Sequence, residues 1–188
     1  MEGNIKIGLM GSASVGKTTT ANKLHEITGI EVHKELESRL IKKLIKRGVI
    51  KNKGGFSPQQ SKDYQNRALS IRERLSRKNS FISDRVAGEL WVYHQIYCGH
   101  YSTNKELATF KERCLDVMKK YDYLFLFPFG QIPIEDNNYR NINGNYQRMI
   151  HTKIEEMLED FELSYIQLRK APLSKEERVE EVLSLIRR

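Results

Sequence analysis

Residues 11–18 read Gly-Ser-Ala-Ser-Val-Gly-Lys-Thr and fit the phosphate-binding pattern G-x-x-x-x-G-K-[ST] at every defined position. The apolar run at residues 5–10 precedes this loop and has strand character, and the residues from Thr18 onward have the character of a helix. A strand, a loop and a helix in this order are the context that the motif requires. The stretch therefore predicts a site for a nucleoside triphosphate.

The chemistry of this loop depends on its backbone. Its N–H groups converge on phosphate oxygens, and the positive end of the following helix assists them. Gly11 and Gly16 permit conformations and close approaches that a side chain would obstruct. We predict that Lys17 reaches the outer phosphates and that the Thr18 hydroxyl binds Mg²⁺. The predicted nucleotide-binding residues are Gly11, Ser12, Ala13, Ser14, Val15, Gly16, Lys17, Thr18 and Thr19.

Length and composition limit the class of protein. The 188 residues suit one domain, residues 1–188, with a sizeable core. No apolar run approaches membrane-spanning length and no signal peptide is apparent, so we expect a cytoplasmic protein without a membrane partner. Cys98 and Cys114 lack metal-ligand spacing and are interpreted as ordinary thiols.

The formal net charge is +8, which favours an anionic partner such as a nucleotide or a nucleic acid. The excess is concentrated in two runs. The first comprises Arg39, Lys42, Lys43, Lys46, Arg47, Lys51 and Lys53, and the second comprises Arg67, Arg72, Arg74, Arg77 and Lys78. Each run is either a solvated helix face or part of a groove for a polyanion.

Apolar runs of strand length alternate with helical patterns along the whole chain. The predicted strands are residues 5–10, 29–33, 80–84, 123–127 and 164–168. Such alternation predicts an α/β protein with a parallel, five-stranded sheet between two layers of helices. Together with the loop, it indicates the three-layer P-loop NTPase fold of the nucleoside/nucleotide kinase type.

In such a sheet, ligands bind at the carboxyl ends of the strands. Asp84 ends the third strand and is predicted to hold Mg²⁺, although an aspartate there also suits a helix N-cap. Glu35 follows the second strand and is predicted to accept the acceptor's hydroxyl proton, although it also suits the first turn of a helix. Arg85 is predicted to orient the substrate or to pair with Glu35.

The long loop at residues 128–145 is predicted to close over the triphosphate. Arg140 in this loop and Arg148 just after it are candidates for neutralising the charge on the transferred group, and solvated surface arginines are the alternative.

An aromatic cluster follows Arg85 at helical spacing and comprises Trp91, Tyr93, Tyr97 and Tyr101. Such spacing more often indicates core packing, and base stacking by Tyr93 or Tyr97 is the alternative. His33 and His94 lack the neighbours that would mark metal ligands.

The sequence lacks the usual signals of two large classes of P-loop protein. A guanine-reading Asn-Lys-x-Asp stretch does not follow residues 123–127, and the closing pair of acids of motor ATPases is not apparent. A small phosphoryl-transfer enzyme is the class that fits, in which the protein aligns two substrates and stabilises charge on the moving group.

The order of the motifs resembles the nicotinamide riboside kinase domain of bacterial bifunctional NAD-salvage regulators and the related small P-loop ATPase/kinase domains. Besides the loop, the resemblance rests on residues 32–35 followed by Arg39, on residues 81–84, on residues 121–126, and on Ile132-Pro133 with Asp136 and Arg140. The Asp84-Arg85 pair is also similar to that of deoxynucleoside kinases.

This resemblance implies a kinase that uses ATP and Mg²⁺ to phosphorylate a hydroxyl of a nucleoside or nucleotide-like acceptor. Two alternatives stay open. One is a kinase for a hydroxyl carried by nucleic acid, such as a modified base of phage DNA or a polynucleotide end, held by the basic runs. The other is a nucleotide-dependent switch or binding module without transfer activity.

Overall fold

A computed structural model describes residues 4–33, 36–48, 56–133, 141–171 and 173–186. Five strands form one sheet in the order β2-β3-β1-β4-β5, and all four pairings are parallel, which confirms the predicted sheet. The strands are β1 (Lys6–Met10), β2 (Val32–His33), β3 (Phe81–Asp84), β4 (Tyr123–Leu126) and β5 (Ile166–Gln167).

Helices lie between successive strands of the chain, and one more follows the last strand. They are α1 (Lys17–Thr28), α2 (Leu36–Lys46), α3 (Pro58–Leu75), α4 (Ala87–Cys98), α5 (Asn104–Met118), α6 (Gly144–Asp160) and α7 (Lys175–Ile186). The start of α3 illustrates why these ends form. Ser57 and Gln60 make a reciprocal capping box and Pro58 occupies the first turn, where a missing N–H costs nothing.

The sheet separates two hydrophobic cores because successive residues of a strand point to opposite faces. On β1, Ile7 and Leu9 pack with α1 and α7, whereas Met10 packs on the other face with α3, α4, α5 and α6. On β4, Phe125 belongs to the first core and Leu124 to the second. These two cores produce the predicted three layers.

The register of the central strands brings the functional segments together. Leu9 of β1 is aligned with Asp84 of β3, and Met10 is aligned with Leu126 of β4. All strands are parallel, so the phosphate loop after Met10 and the Asp84-Arg85 segment emerge from the same edge of the sheet. Among the described helices, none combines the length and apolarity needed to traverse a bilayer.

His94 on α4 lies inside the larger core, only 2% exposed. Its ring stacks on Phe110 at a centroid distance of 4.0 Å, and among the described residues neither ring nitrogen has a hydrogen-bond partner. Burial lowers the pKa of this imidazole to about 4; the Lys62 ammonium adds to the lowering and Glu106 opposes it. The native protein therefore keeps His94 neutral at pH values where the unfolded chain protonates it.

This difference predicts a loss of stability in mild acid. The contribution of neutral His94 is complete above the unfolded pKa of about 6.5 and is lost as the pH falls toward 4. From this group alone we expect the free energy of unfolding to fall by roughly 1–2 kcal/mol between pH 7 and pH 5. Urea unfolding at both pH values should show a smaller fall for His94→Phe, which preserves the ring stack. The exposed residue His100 supplies the control, His100→Gln, and an unchanged pH dependence in His94→Phe would contradict the prediction.

Candidate functional site

The phosphate loop has a backbone that few residue types adopt. Gly11, Ser14 and Gly16 all have positive φ, at 138°, 59° and 92°. Glycine reaches this region without a steric penalty, whereas Ser14 must be held there by its surroundings. Gly16 is the N-cap of α1, which begins at Lys17, so the N–H groups of the first helical turn point toward the loop.

A cavity of about 190 Å³ lies in front of this loop. It is lined by Ala13, Ser14, Val15, Gly16, Lys17, Thr18, Thr19, Asp84, Arg85, Ile132 and Lys175. The structure thus brings seven of the nine predicted nucleotide-binding residues together with the predicted Asp84-Arg85 pair. The dipole of α1, the backbone amides of the loop and three cationic side chains, Lys17, Arg85 and Lys175, make this cavity suited to a polyanion.

Two residues of the cavity lining, Thr18 and Asp84, are in contact through their side-chain oxygen atoms. The Thr18 hydroxyl donates a hydrogen bond to the Asp84 carboxylate, with 2.6 Å between Oγ1 and Oδ2. Oxygen ligands of this kind match Mg²⁺, which is usually held by one or two carboxylates together with substrate phosphates and water. Within the described ranges, no cluster of three or more His, Cys, Asp or Glu side chains forms a metal site by itself. The residues present therefore fit a magnesium ion that arrives with a nucleotide.

Lys17 is only 6% exposed and folds back onto its own loop. Its ammonium donates hydrogen bonds to the carbonyl oxygens of Gly11 and Ser12, at 2.5 and 2.7 Å. The Glu89 carboxylate of α4 lies 3.9 Å away. These neighbours keep a buried positive charge at the floor of the phosphate cavity.

The Asp84-Arg85 corner, where the backbone turns after β3, is held by hydrogen bonds from Arg72. Arg85 has a φ of 79°, unusual for a residue with a side chain. The Ser83 hydroxyl donates to the Arg85 carbonyl at 2.6 Å, and the Arg72 guanidinium donates to the Ser83 Oγ at 2.9 Å and to the Asp84 carbonyl at 3.3 Å. This network fixes the direction in which the Asp84 and Arg85 side chains leave the strand.

The position of Arg72 corrects one prediction. The sequence placed it in the second basic run, as part of a solvated face or a polyanion groove. Arg72 is instead 2% exposed, because α3 turns this side toward the end of β3. The second run is therefore not one continuous surface, although Arg67, Arg74 and Arg77 are exposed.

A row of aromatic side chains extends from Arg85. The Arg85 guanidinium lies 5.8 Å from the centre of the Tyr93 ring, Tyr93 stacks with Tyr97, and the hydroxyls of Tyr97 and Tyr146 are 2.6 Å apart. Tyr97 is 44% exposed, whereas Trp91 is buried in the core. Burial raises the pKa of Tyr93 and that of Tyr146, so both are neutral hydroxyls at physiological pH. The cluster combines core packing by Trp91 with an open aromatic surface at Tyr97.

Of the three remaining predicted site residues, the structure describes only Arg148. Arg148 is exposed on α6, with its guanidinium 5.8 Å from the centre of the Phe129 ring, and it is not among the described residues that line the cavity. Glu35 and Arg140 lie outside the described residues. Their predicted roles stay predictions.

Three residues at the site were not foreseen. Lys175 lines the cavity, and Glu89 and Gln147 contact the loop from α4 and α6. Ile132, which also lines the cavity, belongs to the segment at residues 128–145 that was predicted to lie over the triphosphate. A signal existed for Glu89, since a glutamate three residues into a helix suits a capping box. That pattern gives no indication of a contact with a loop more than seventy residues away.

The fold and the loop together define a P-loop nucleoside-triphosphate-binding α/β protein. The chain belongs to the AAA domain family AAA_28, whose model matches residues 6–178. No curated protein sequence matches significantly.

Solved structures share the fold at low sequence identity. Deoxyadenosine kinase from M. mycoides with bound dATP has a TM-score of 0.68 at 16% identity, covering 98% of this chain and 100% of that one. NadR protein in complex with NR has a TM-score of 0.69 at 16% identity, covering 96% of this chain and 51% of that one. Thymidylate kinase from Ehrlichia chaffeensis has a TM-score of 0.61 at 16% identity, covering 99% and 100%. These matches confirm the predicted fold of a nucleoside or nucleotide kinase.

Proposed function

We propose that this protein is a kinase that transfers the γ-phosphoryl group of ATP to a hydroxyl of a nucleoside or nucleotide-like acceptor. The observation that carries the proposal is the contact between Thr18 and Asp84 at the mouth of the phosphate cavity. This contact places two oxygen ligands suited to Mg²⁺ beside the loop that would bind the triphosphate, which is the arrangement that phosphoryl transfer requires. Lys17 and Arg85 line the same cavity and supply the positive charge.

In this reaction the acceptor oxygen forms a bond to the γ-phosphorus as the bond from that phosphorus to the β,γ-bridging oxygen breaks, and ADP leaves. The hydroxyl proton passes to a carboxylate, for which Glu35 remains our candidate. Amides of the loop and the ammonium of Lys17 hold the phosphates in line with the acceptor. Arg85 is positioned beside Asp84 to orient the acceptor. Arg140 and Arg148 are proposed to neutralise charge when the loop before α6 closes.

A bound Mg²⁺ would supply charge neutralisation for the β- and γ-phosphates. Thr18 and Asp84 are the residues that would hold it. The Thr18 hydroxyl and the Asp84 carboxylate are in hydrogen-bond contact, so both would be available to a single ion.

The acceptor class is supported by the aromatic row beside Arg85. The rings of Tyr93 and Tyr97 and the hydroxyl of Tyr146 form a surface that combines stacking with hydrogen bonding. A nucleobase or nicotinamide ring presents both kinds of group. The relatives with this fold include a deoxyadenosine kinase, a thymidylate kinase and a NadR protein that was solved with NR, which also favours a nucleoside-like acceptor.

A turnover assay across nucleosides, nucleoside monophosphates and nicotinamide riboside tests this proposal. ADP formation with ATP and Mg²⁺ is expected to rise above the acceptor-free rate with at least one of these compounds. The product is then identified by mass spectrometry as the acceptor plus one phosphoryl group. If none of the compounds raises the rate, the small-acceptor function is overturned.

A second candidate is an acceptor hydroxyl carried by nucleic acid. The specific observation is an exposed basic surface formed by Lys42, Lys43 and Lys46 of α2 and by Arg47, which directly follows the helix. The opposite side of α2 packs through Leu40, Ile41 and Leu44 against Tyr64 and Phe56, so the basic residues face outward. In the chain this helix follows β2, and Glu35, our candidate for the proton acceptor, lies between the two in sequence. We infer that a polyanion bound to α2 would lie toward the acceptor side.

Salt dependence separates this candidate from the first. Phosphate contacts release counterions, so binding of a short duplex or single-stranded DNA should weaken steeply between 50 and 200 mM salt. The triple variant Lys42→Gln, Lys43→Gln, Lys46→Gln should reduce the slope, whereas Lys23→Gln on α1 should not. Weak binding with little dependence on salt would remove the nucleic-acid acceptor.

A further inference from the structure

A buried carboxylate holds the start of the phosphate loop from α4. Glu89 is 2% exposed and lies in the first turn of that helix. Its Oε2 accepts a hydrogen bond from the Val86 amide at 3.1 Å, and its Oε1 accepts one from the Gly11 amide at 3.3 Å. The same Oε1 lies 3.9 Å from the Lys17 ammonium. One side chain thus connects the helix start, the loop and the loop lysine.

A second buried side chain holds the loop from α6. Gln147 is 2% exposed, and its Oε1 accepts a hydrogen bond from the Ala13 amide at 3.0 Å. Its Nε2 donates to the Asn141 carbonyl at 2.6 Å. Gln147 therefore ties the phosphate loop to the backbone just before α6.

We propose that Glu89 and Gln147 are positioning residues that hold the first half of the phosphate loop in its binding conformation, with Glu89 as the resting counter-ion of Lys17. This inference rests on the proposed function, because it concerns the same triphosphate site. The two side chains occupy the amides of Gly11 and Ala13. The part of the loop that lines the cavity begins at Ala13 and continues into α1 as far as Thr19. The amides after Ala13 therefore face the ligand.

The conformation of the loop explains why such support is needed. Positive φ at Ser14 is a higher-energy conformation for a residue with a side chain, and it persists only where neighbouring contacts determine it. Donors that are held in place before the ligand arrives bind it without a cost of reorganisation. Both supporting side chains are buried, so water competes little for the amides they bind.

The charge of Glu89 has a separate role. A buried ammonium without a counter-charge is unfavourable, and Glu89 supplies that charge while Lys17 rests on the carbonyls of Gly11 and Ser12. A triphosphate offers stronger partners, so Lys17 can turn to the phosphates while Glu89 keeps the Gly11 amide in place. A substitution of Glu89 therefore has two opposed effects on the affinity for a triphosphate: loss of the loop contact lowers it, and loss of the carboxylate that competes for Lys17 raises it. We expect the loss of the loop contact to be the larger effect, so that the net affinity falls.

The test measures affinity for Mg-ATP by calorimetry, well below the melting temperature of each variant. Glu89→Gln replaces one of the two carboxylate oxygens with an NH2 group. The side chain then no longer has a separate oxygen for each of the amides of Val86 and Gly11. If positioning dominates, the affinity should fall at least tenfold in Glu89→Gln, and also in Glu89→Asp, which keeps the charge but is shorter. Gln147→Leu, which leaves the Ala13 amide without its partner, should also lose about tenfold.

The control is Glu106→Gln. Glu106 occupies the same capping-box position in α5, where it accepts from the Thr103 amide, and it is not among the residues that line the phosphate cavity. Its substitution should lower the melting temperature and leave the Mg-ATP affinity within twofold. A merely structural role of Glu89 predicts the same result for Glu89→Gln, and that result would overturn the inference, as would a gain in affinity. Absence of Mg-ATP binding by the unmodified protein would instead overturn the proposed function.

Discussion

Asp84→Asn is expected to lower kcat by roughly 10²–10³-fold with the best acceptor found in the screen, while nucleotide affinity measured without Mg²⁺ changes by less than threefold. The substitution is nearly isosteric, and the asparagine oxygen can still accept the hydrogen bond from the Thr18 hydroxyl. What is removed is the negative charge that would hold the magnesium ion. The loss should therefore appear in kcat and in the dependence of the rate on Mg²⁺ concentration.

Asp122→Asn supplies the matched control for this substitution. Asp122 accepts a hydrogen bond from the Lys6 amide at 2.7 Å, at the amino end of β1 and therefore at the opposite edge of the sheet. Its asparagine variant should retain turnover within twofold. The N-cap of α4 is Val86, so Asp84 does not have the capping role that the sequence also allowed. If Asp84→Asn were as active as this control, Asp84 would serve only as the hydrogen-bond acceptor of Thr18 and would have no part in the reaction. A protein that acts as a nucleotide switch would show no acceptor turnover in any of the three forms.

Lys17→Met is expected to weaken Mg-ATP binding by at least about 30-fold and to abolish measurable turnover, because the ammonium rests on the carbonyls of the loop that lines the phosphate cavity and can turn from them to the phosphates. Methionine fills much of the volume of the lysine stem, which limits the loss of packing. Calorimetry and steady-state kinetics measure the two effects separately. Lys23→Met, at an exposed position on the same helix where Lys23 pairs with Glu26, should change neither.

The same substitution should also affect stability. Lys17→Met leaves the buried Glu89 carboxylate without the ammonium that lies 3.9 Å away, and breaking a buried ion pair in this way typically costs about 3–5 kcal/mol. The double variant Lys17→Met, Glu89→Gln should recover part of that loss. Urea unfolding of the single and double variants measures the coupling, and additive losses would contradict the pairing of these two side chains.

The fold followed from the sequence because its strongest signals are local. The loop at residues 11–18 fixed the strand before it and the helix after it, and the apolar run ending at Phe127 was typical of a strand covered on both faces. Short strands were less well defined: β2 comprises Val32–His33 alone, where a five-residue strand was predicted. The ends of an edge strand depend on how many residues of the neighbouring strand can pair with it, and the local sequence does not encode that number.

The site was predictable only where a residue follows a strand. Asp84 and Arg85 were found by that rule, and they line the cavity. Glu89, Gln147 and Arg72 lie within helices, where a polar side chain is most often solvated, and their contacts are made with segments distant in the chain. Nothing in a helical pattern indicates which polar residue is turned inward. For this reason the supports of the loop and of the Asp84-Arg85 corner emerged only from the three-dimensional arrangement.

The central position of β1 has a consequence for how the protein is made. β1 pairs with β3 and β4, so Leu9 finds its neighbours about 75 and 116 residues later in the chain. Contacts of such high sequence separation form slowly. Although the phosphate loop is synthesised among the first residues, a nascent chain cannot bring Thr18 to Asp84 until β3 has left the ribosome and docked. A nucleotide would therefore bind only chains that have passed this step, and its presence would draw late folding intermediates toward the native state.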